Sequence, residues 1–275
     1  MAAEISFSIE TARGSRTLSV AYERRGTGEP LLLHGIGHHW QAWEPVMDIL
    51  ATERDVVAVD LPGFGTSAAL PDGVPYDLTT VTAALGALCG ALGIERPHVA
   101  GNSLGGLLAL ELGREKLVRS VTALSPAGFW TEAERRYAFI TLRAMRAGAR
   151  SLPLPMIERL SRSAAGRMAL VSTIYARPGR RSPEAAVAET CALRGATGFH
   201  QTLAAGGAVL FTDDVRDVPV TIAWGSRDRL LLRRQGVRAK HVIPGARLVR
   251  LPGCGHVPMS DDPALVARVL LDGSR

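Results

Sequence analysis

The sequence predicts an α/β fold built on a mostly parallel central sheet, and three observations carry that prediction. Short strand-like runs alternate with helix-compatible segments in both end portions of the chain. Several of those runs, such as PLLLH at Pro30–His34 and VVAVD at Val56–Asp60, are almost continuously apolar, as strands buried on both faces are. A long central section, by contrast, contains no convincing strand.

Taken in order, Ile5–Thr11 and Thr17–Glu23 alternate apolar with polar residues and are expected to be half-buried antiparallel edge strands. Pro30–His34, Val56–Asp60, His98–Gly101, Val118–Leu124, Val218–Trp224 and Ala246–Leu251 follow as later strands. Helices are expected at Trp43–Leu50, Leu78–Leu92, Leu104–Leu112, Leu230–His241 and Pro263–Leu271. From Phe129 to Thr212 the chain is helix-compatible but broken by Pro153, Pro155, Pro178, Gly179 and Pro183. Ordinary α/β connections are far shorter than this, so the segment reads as a helical cap inserted after the sixth strand, over the carboxyl edge of the sheet. The expected division is a core of residues 1–128 and 213–275 and a cap of 129–212.

Composition narrows the function classes. Hydrophobic residues at 47% and charged residues at 21% exclude wholesale disorder and coiled coil in a chain of 275 residues. The most apolar stretch, Val81–Ile94, is too short to span a bilayer, and MAAEISFSIE lacks the pattern of a secretory signal. A soluble cytoplasmic protein without membrane partners is therefore expected. The net charge of +6 invites a nucleic-acid reading, but 30 of the 32 basic residues are arginine and only Lys116 and Lys240 are lysine. That skew, with abundant Ala and Gly, has the look of coding bias, and no nucleic-acid-binding motif accompanies it. The cap alone holds twelve arginines against five glutamates, a local charge of +7. These arginines read first as a solvated face, with binding of a substrate carboxylate as the sharper alternative. Cys89, Cys191 and Cys254 are too widely spaced for a metal or redox motif and read as reduced structural thiols; Cys254 lies two residues before His256.

Gly101-Asn102-Ser103-Leu104-Gly105 fits G-x-S-x-G between an apolar strand and an apolar helix, the context that such a motif requires. A serine on so tight a turn occupies a strained conformation, which leaves no room for side chains at −2 and +2. A serine nucleophile needs a base, and the base needs an acid to orient it. His256 lies just past the last expected strand, and Asp228 just past the one before it, giving the order Ser103, Asp228, His256. Asp228 is alternatively the N-cap of the following helix. Asp213, Asp214 and Asp217 precede their strand and would sit at the wrong edge of the sheet. Negative charge developing on a carbonyl oxygen needs donors fixed in advance, and the backbone N–H groups of Ile36 and Leu104 are the candidates for that oxyanion hole. His34 is expected to brace the turn that carries Ile36.

These features together resemble the α/β-hydrolase superfamily over nearly the whole chain. They are His34-Gly35, the run Asp60-Leu61-Pro62-Gly63-Phe64-Gly65-Thr66-Ser67, the turn at Ser103, then Asp228 and His256. The resemblance implies a central, mostly parallel sheet, a helical cap after the sixth strand and chemistry without a cofactor or metal. The family's alternative acid position, after the sixth strand, here reads Leu124-Ser125-Pro126 with no carboxylate, which favours Asp228. Ser103 speaks against relatives that use an aspartate nucleophile, the haloalkane dehalogenases and epoxide hydrolases. Gly-Asn-Ser-Leu-Gly-Gly looks like the same turn in ring-cleavage C–C hydrolases, although those carry an aromatic residue after the histidine where this chain has Val257.

The leading expectation is a serine hydrolase acting on an ester, thioester or lactone of a small, largely apolar molecule. A C–C hydrolase of a dienoate-type compound is the second reading, and a ligand-binding or biosynthetic member of the fold the third. His38, Phe129, Trp130 and Val257 are candidate substrate-pocket residues. His38 and His39 either line the pocket mouth or lie at the surface, and as metal ligands they lack a third partner. Phe199 and His200 flank the cap and read first as packing residues. Oligomeric state is not legible.

Overall fold

In the structure, a computed structural model that describes residues 2–11, 14–27 and 31–275, eight strands form one sheet. Strands β1 (Ala3–Thr11) and β2 (Gly14–Arg25) pair antiparallel, and β2 pairs antiparallel with β4 (Val56–Val59). Every later pairing is parallel, through β3 (Leu31–Leu33), β5 (His98–Asn102), β6 (Ser120–Leu124), β7 (Val220–Gly225) and β8 (Arg247–Leu251). The order across the sheet is β1-β2-β4-β3-β5-β6-β7-β8. Only β1 of the two expected edge strands is at an edge; β2 lies inside it. Pro30, expected to open β3, lies outside the described residues.

Side-chain alternation explains how a sheet of continuous apolar runs is covered on both faces. Val57 and Val59 of β4, with Val99 and Val121, pack into one core with α2 (Leu78–Ala91) and α3 (Leu104–Arg114). Val56 and Ala58, with Ala100 and Leu124, face the other way into a second core with α1 (Glu44–Ala51) and the C-terminal helix (Pro263–Gly273). Residues of β4, β6 and β7 are buried throughout. Each fully buried aliphatic side chain there contributes roughly 1.5–3 kcal/mol of transfer free energy. Edge strand β8 instead exposes Arg247, Leu248 and Arg250.

Between β6 and β7 run five α-helices, α4 (Glu132–Ser151), α5 (Leu154–Ser161), α6 (Ala164–Val171), α7 (Pro183–Gly195) and α8 (Phe199–Ala205). Helix α4 opens on a capping box in which the Thr131 side chain accepts from Glu134 N–H and the Glu134 carboxylate accepts from Thr131 N–H. The same carboxylate pairs with Arg234 and Arg238 of the helix that follows β7, α9 (Arg234–Val242), and so ties α4 to the sheet domain.

Two expectations are corrected here. The helix expected from Leu230 begins only at Arg234, because Leu230 and Leu231 donate their N–H groups to Asp228 Oδ1 at 2.9 and 2.8 Å and form a bend. Nor are the cap arginines simply a solvated face. Arg146 donates to Ala196 O, Arg167 to Ser161 O and Gly179 O, and Arg194 to Leu152 O. Helices separated by prolines leave their last carbonyls unpaired, and these guanidinium groups take them up.

Candidate active site

Ser103 stands between the end of β5 and the start of α3, with φ 57° and ψ −114°. That backbone is strained for a residue with a side chain, and the surroundings hold it. Ser103 N–H donates to Leu124 O at 3.0 Å, while its carbonyl accepts from Leu107 and Ala127 N–H at 3.0 and 3.1 Å. A Cβ on Gly101 would stand 2.0 Å from Gly105 O, and one on Gly105 2.2 Å from Leu33 O, so the turn closes only with glycine at both positions. Strain of roughly 1–3 kcal/mol retained in so rigid a frame is a mark of a functional residue.

Ser103 and His256 both line a cavity of about 250 Å³ between the sheet domain and helices α4, α6 and α7. His256 Nδ1 donates to Asp228 Oδ2 at 2.8 Å; a carboxylate only accepts, so Nε2 is the ring nitrogen left to take up a proton. Both residues are buried, at 3% and 8% exposure. Asp228 Oδ1 meanwhile accepts from Leu230 and Leu231, so one oxygen shapes the following loop while the other bonds His256. Asn102 Nδ2 bridges Leu124 O at 3.0 Å and His256 O at 2.9 Å, locking the histidine loop to the strand that carries Ser103. Ser103 Oγ has no hydrogen-bond partner among the described residues.

His34 braces the neighbouring turn as expected. It is fully buried; Leu61 N–H donates to Nε2 at 2.9 Å, which makes Nδ1 the protonated nitrogen, and Nδ1 donates to Gly35 O at 2.7 Å. Burial pushes its pKa down to about 4 against the pull of Asp60, so the ring is neutral in ordinary conditions. Asp60 in turn accepts from Trp40 N–H at 2.6 Å and Thr66 N–H at 2.8 Å, fixing the Gly63–Ser67 loop against the same turn. Ile36 and Leu104 flank Ser103 in a second, smaller cavity, and neither N–H has an acceptor among the described residues.

The candidate pocket residues divide. His38 and Val257 line the larger cavity and Trp130 the smaller one. Phe129 lines neither: it is 3% exposed and packs on Phe211 with ring centroids 5.5 Å apart. Phe199 is fully buried beneath the Arg146 guanidinium. His38 and His39 are both buried and stacked on each other, so the surface alternative does not hold. The Cys254 thiol is buried and pushed up to about 12 by that burial, which keeps it protonated and unreactive.

Sequence reasoning missed two carboxylates. Asp261 accepts from Gly255 N–H at 2.8 Å, Ala176 N–H at 3.0 Å and Arg177 N–H at 2.8 Å, joining the histidine loop to the segment before α7. Glu189 of α7 lines the larger cavity itself. Its neighbours in sequence are helix-forming and unremarkable, so no local signal marks it.

The sequence pattern of the alpha/beta hydrolase family matches residues 31–269. The chain belongs to that family. Among curated relatives, an uncharacterized protein of Mycobacterium bovis is 29% identical over 261 residues, 89% of this chain and 74% of the relative. The pimeloyl-[acyl-carrier protein] methyl ester esterase of Aeromonas hydrophila is 29% identical over 256 residues, 90% of this chain and 95% of the esterase. The solved structure of a thermophilic esterase from Thermogutta terrifontis superposes with a TM-score of 0.76 at 20% identity, covering 98% and 97% of the two chains, and establishes the shared fold. This alpha/beta hydrolase contains no helix among the described residues that is long and apolar enough to cross a membrane.

Proposed function

We propose that this hydrolase cleaves a carboxylic ester, thioester or lactone of a small, largely apolar molecule by way of an acyl-enzyme on Ser103. The observation that carries the proposal is a serine on a strained turn facing a cavity shared with His256, whose far nitrogen is held by buried Asp228. His256 Nε2 takes the proton of Ser103 Oγ as the oxygen attacks the carbonyl carbon. The N–H groups of Ile36 and Leu104 receive the developing oxyanion, and Asp228 fixes the ring tautomer and stabilises the imidazolium. Collapse expels the alcohol, which takes its proton from His256. A water deprotonated by His256 then attacks the acyl carbon and releases the acid, returning the proton to Ser103.

The lining of Leu142, Met145, Leu170, Val171 and Leu193 suits an apolar chain. We read residues 129–212 as the cap that selects it. Similarity along 90% of the chain to an enzyme named as a methyl ester esterase supports the ester over the C–C reading, as does Val257 in place of an aromatic residue. The test is a fluorophosphonate probe followed by peptide mass spectrometry, beside turnover of short and long acyl esters and a dienoate. The expected result is a single adduct on Ser103 and ester hydrolysis that Ser103→Ala abolishes while its thermal melt is unchanged. An unlabelled Ser103, or wild-type turnover in the alanine variant, would overturn the proposal.

A further inference from the structure

We propose that Glu189 forms a specificity subsite at the cap side of the larger cavity, and that it accepts a hydrogen bond from a hydroxyl group on an otherwise apolar substrate. The inference rests on the hydrolase reading above and names what that site selects.

Glu189 is 5% exposed and lines the cavity that holds Ser103 and His256. Its Oε1 accepts from Tyr175 O–H at 2.8 Å and from Arg181. Its Oε2 is buried and has no partner among the described residues. Several other buried polar atoms lack partners among the described residues, but Glu189 alone among their owners lines this cavity. A carboxylate oxygen left bare inside a protein is expensive, so natural structures satisfy it or reserve it for a ligand.

The frame around it is fixed. His39 N–H donates to His38 Nδ1 at 3.1 Å, which leaves His38 Nε2–H to donate to Tyr175 Oη at 3.2 Å, and Tyr175 passes its own proton towards Glu189. Arg181 lies over the Tyr175 ring at 5.0 Å and also donates to Ser260 Oγ at 2.6 Å. Tyr175 and Arg181 both donate to Oε1, and among the described residues no donor reaches Oε2, which leaves that oxygen to a ligand donor.

Charge then selects the class of donor. Arg181 already balances Glu189, and burial holds His38 neutral, well below its ordinary pKa. A substrate ammonium would bring an unbalanced charge into a buried site, and an anion would meet the carboxylate directly. An uncharged hydroxyl satisfies Oε2 with neither penalty. The neighbouring Leu142, Met145, Leu170 and Leu193 accept the chain that carries it.

The experiment compares ethyl esters of increasing acyl length whose last carbon carries hydrogen, hydroxyl or methoxy, by kcat/KM, in the wild type and in Glu189→Gln. At one chain length the wild type should prefer hydroxyl over methoxy by about tenfold or more, because methoxy can only accept. In Glu189→Gln, with the carbonyl keeping the Tyr175 and Arg181 donors, an amide N–H group takes the place of Oε2, so the hydroxyl-to-methoxy ratio should fall to within about twofold of one. Each ratio is internal to one protein, so a general loss of activity cancels. The same chains as non-hydrolysable amides, titrated calorimetrically into the wild type, give a readout that needs no turnover.

A wild-type ratio near one at every length, in turnover and in binding, overturns the Glu189 proposal, and so does an unchanged ratio in Glu189→Gln. Hydroxyl-selective binding without turnover, and with Ser103 unlabelled, overturns the hydrolase reading and leaves the subsite standing.

Discussion

Replacing Gly35 by alanine should slow the chemistry far more than it disturbs the fold. A Cβ at position 35 would meet Ser103 Cβ at 3.1 Å and Asn102 O at 3.6 Å. The first distance is tighter than nearly all real contacts of this kind, so one partner must yield by a few tenths of an ångström. Ser103 cannot yield freely, since its backbone is held by Leu124, Leu107 and Ala127 and its neighbouring glycines are packed against main chain. The other partner is the turn that carries Ile36 N–H. In the proposed mechanism either the attacking oxygen or the oxyanion donor is thus displaced, and a full ångström of misplacement is worth up to about a hundredfold in rate. A few tenths should lose about tenfold in acylation, roughly 1.4 kcal/mol of transition-state stabilisation. The fold should lose about 1–3 kcal/mol to overpacking, offset in part by the roughly 0.4–1 kcal/mol that alanine gains through the unfolded chain. The assay is the rate of Ser103 phosphonylation, measured beside a urea melt. A folded Gly35→Ala variant that reacts within about twofold of the wild type would refute the reasoning.

Acid should weaken the fold through its buried histidines. His34 titrates at about 4 in the native state against an ordinary 6.5, so the unfolded chain binds more protons between those values and stability falls as pH drops from 6.5 to 4. The full shift corresponds to about 3 kcal/mol, and His38, also lowered, acts in the same direction. Urea melts across that range measure it, and a flat profile would contradict a neutral, buried His34. Gly90→Ala should act oppositely to Gly35→Ala: Gly90 is exposed in α2 with nothing within 4 Å of a new Cβ. A gain of about 0.5–1 kcal/mol in the same melts is expected, with unchanged phosphonylation of Ser103.

The fold was legible wherever a physical requirement leaves a local trace. Strands covered on both faces must be apolar throughout, and VVAV and VTIAWG are. Edge strand β8 was found despite Arg247 and Arg250, because Leu248, Val249 and Leu251 between them still keep the β-forming pattern. The turn at Ser103 was legible because close backbone approach admits only glycine. The helical segment between β6 and β7 was legible as an insertion but not as a shape. Its five helices, four of them of 13 residues or fewer, are cross-braced by arginines whose acceptors are carbonyls up to about fifty residues away, as Arg146 and Ala196 show. Asp261 was hidden for a different reason. It precedes Asp262, which caps the last helix by accepting from Leu265 N–H at 3.1 Å, so the pair reads as one cap when only the second residue serves it.

Asp228 illustrates why an either-or reading of a polar residue can mislead. A carboxylate offers two oxygens, and here Oδ1 shapes the loop after β7 while Oδ2 faces His256. The first role is a condition of the second, because two N–H donors on Oδ1 stop the side chain from rotating and aim Oδ2 at the imidazole. Glu189 repeats the arrangement with one difference. Its Oε1 is engaged by Tyr175 and Arg181, and its Oε2 has no partner among the described residues. In the proposed mechanism Asp228 uses its second oxygen to orient the base, and in the proposed subsite Glu189 offers its second oxygen to the ligand, so a carboxylate with both oxygens engaged serves the chemistry and one with a single oxygen engaged serves selectivity.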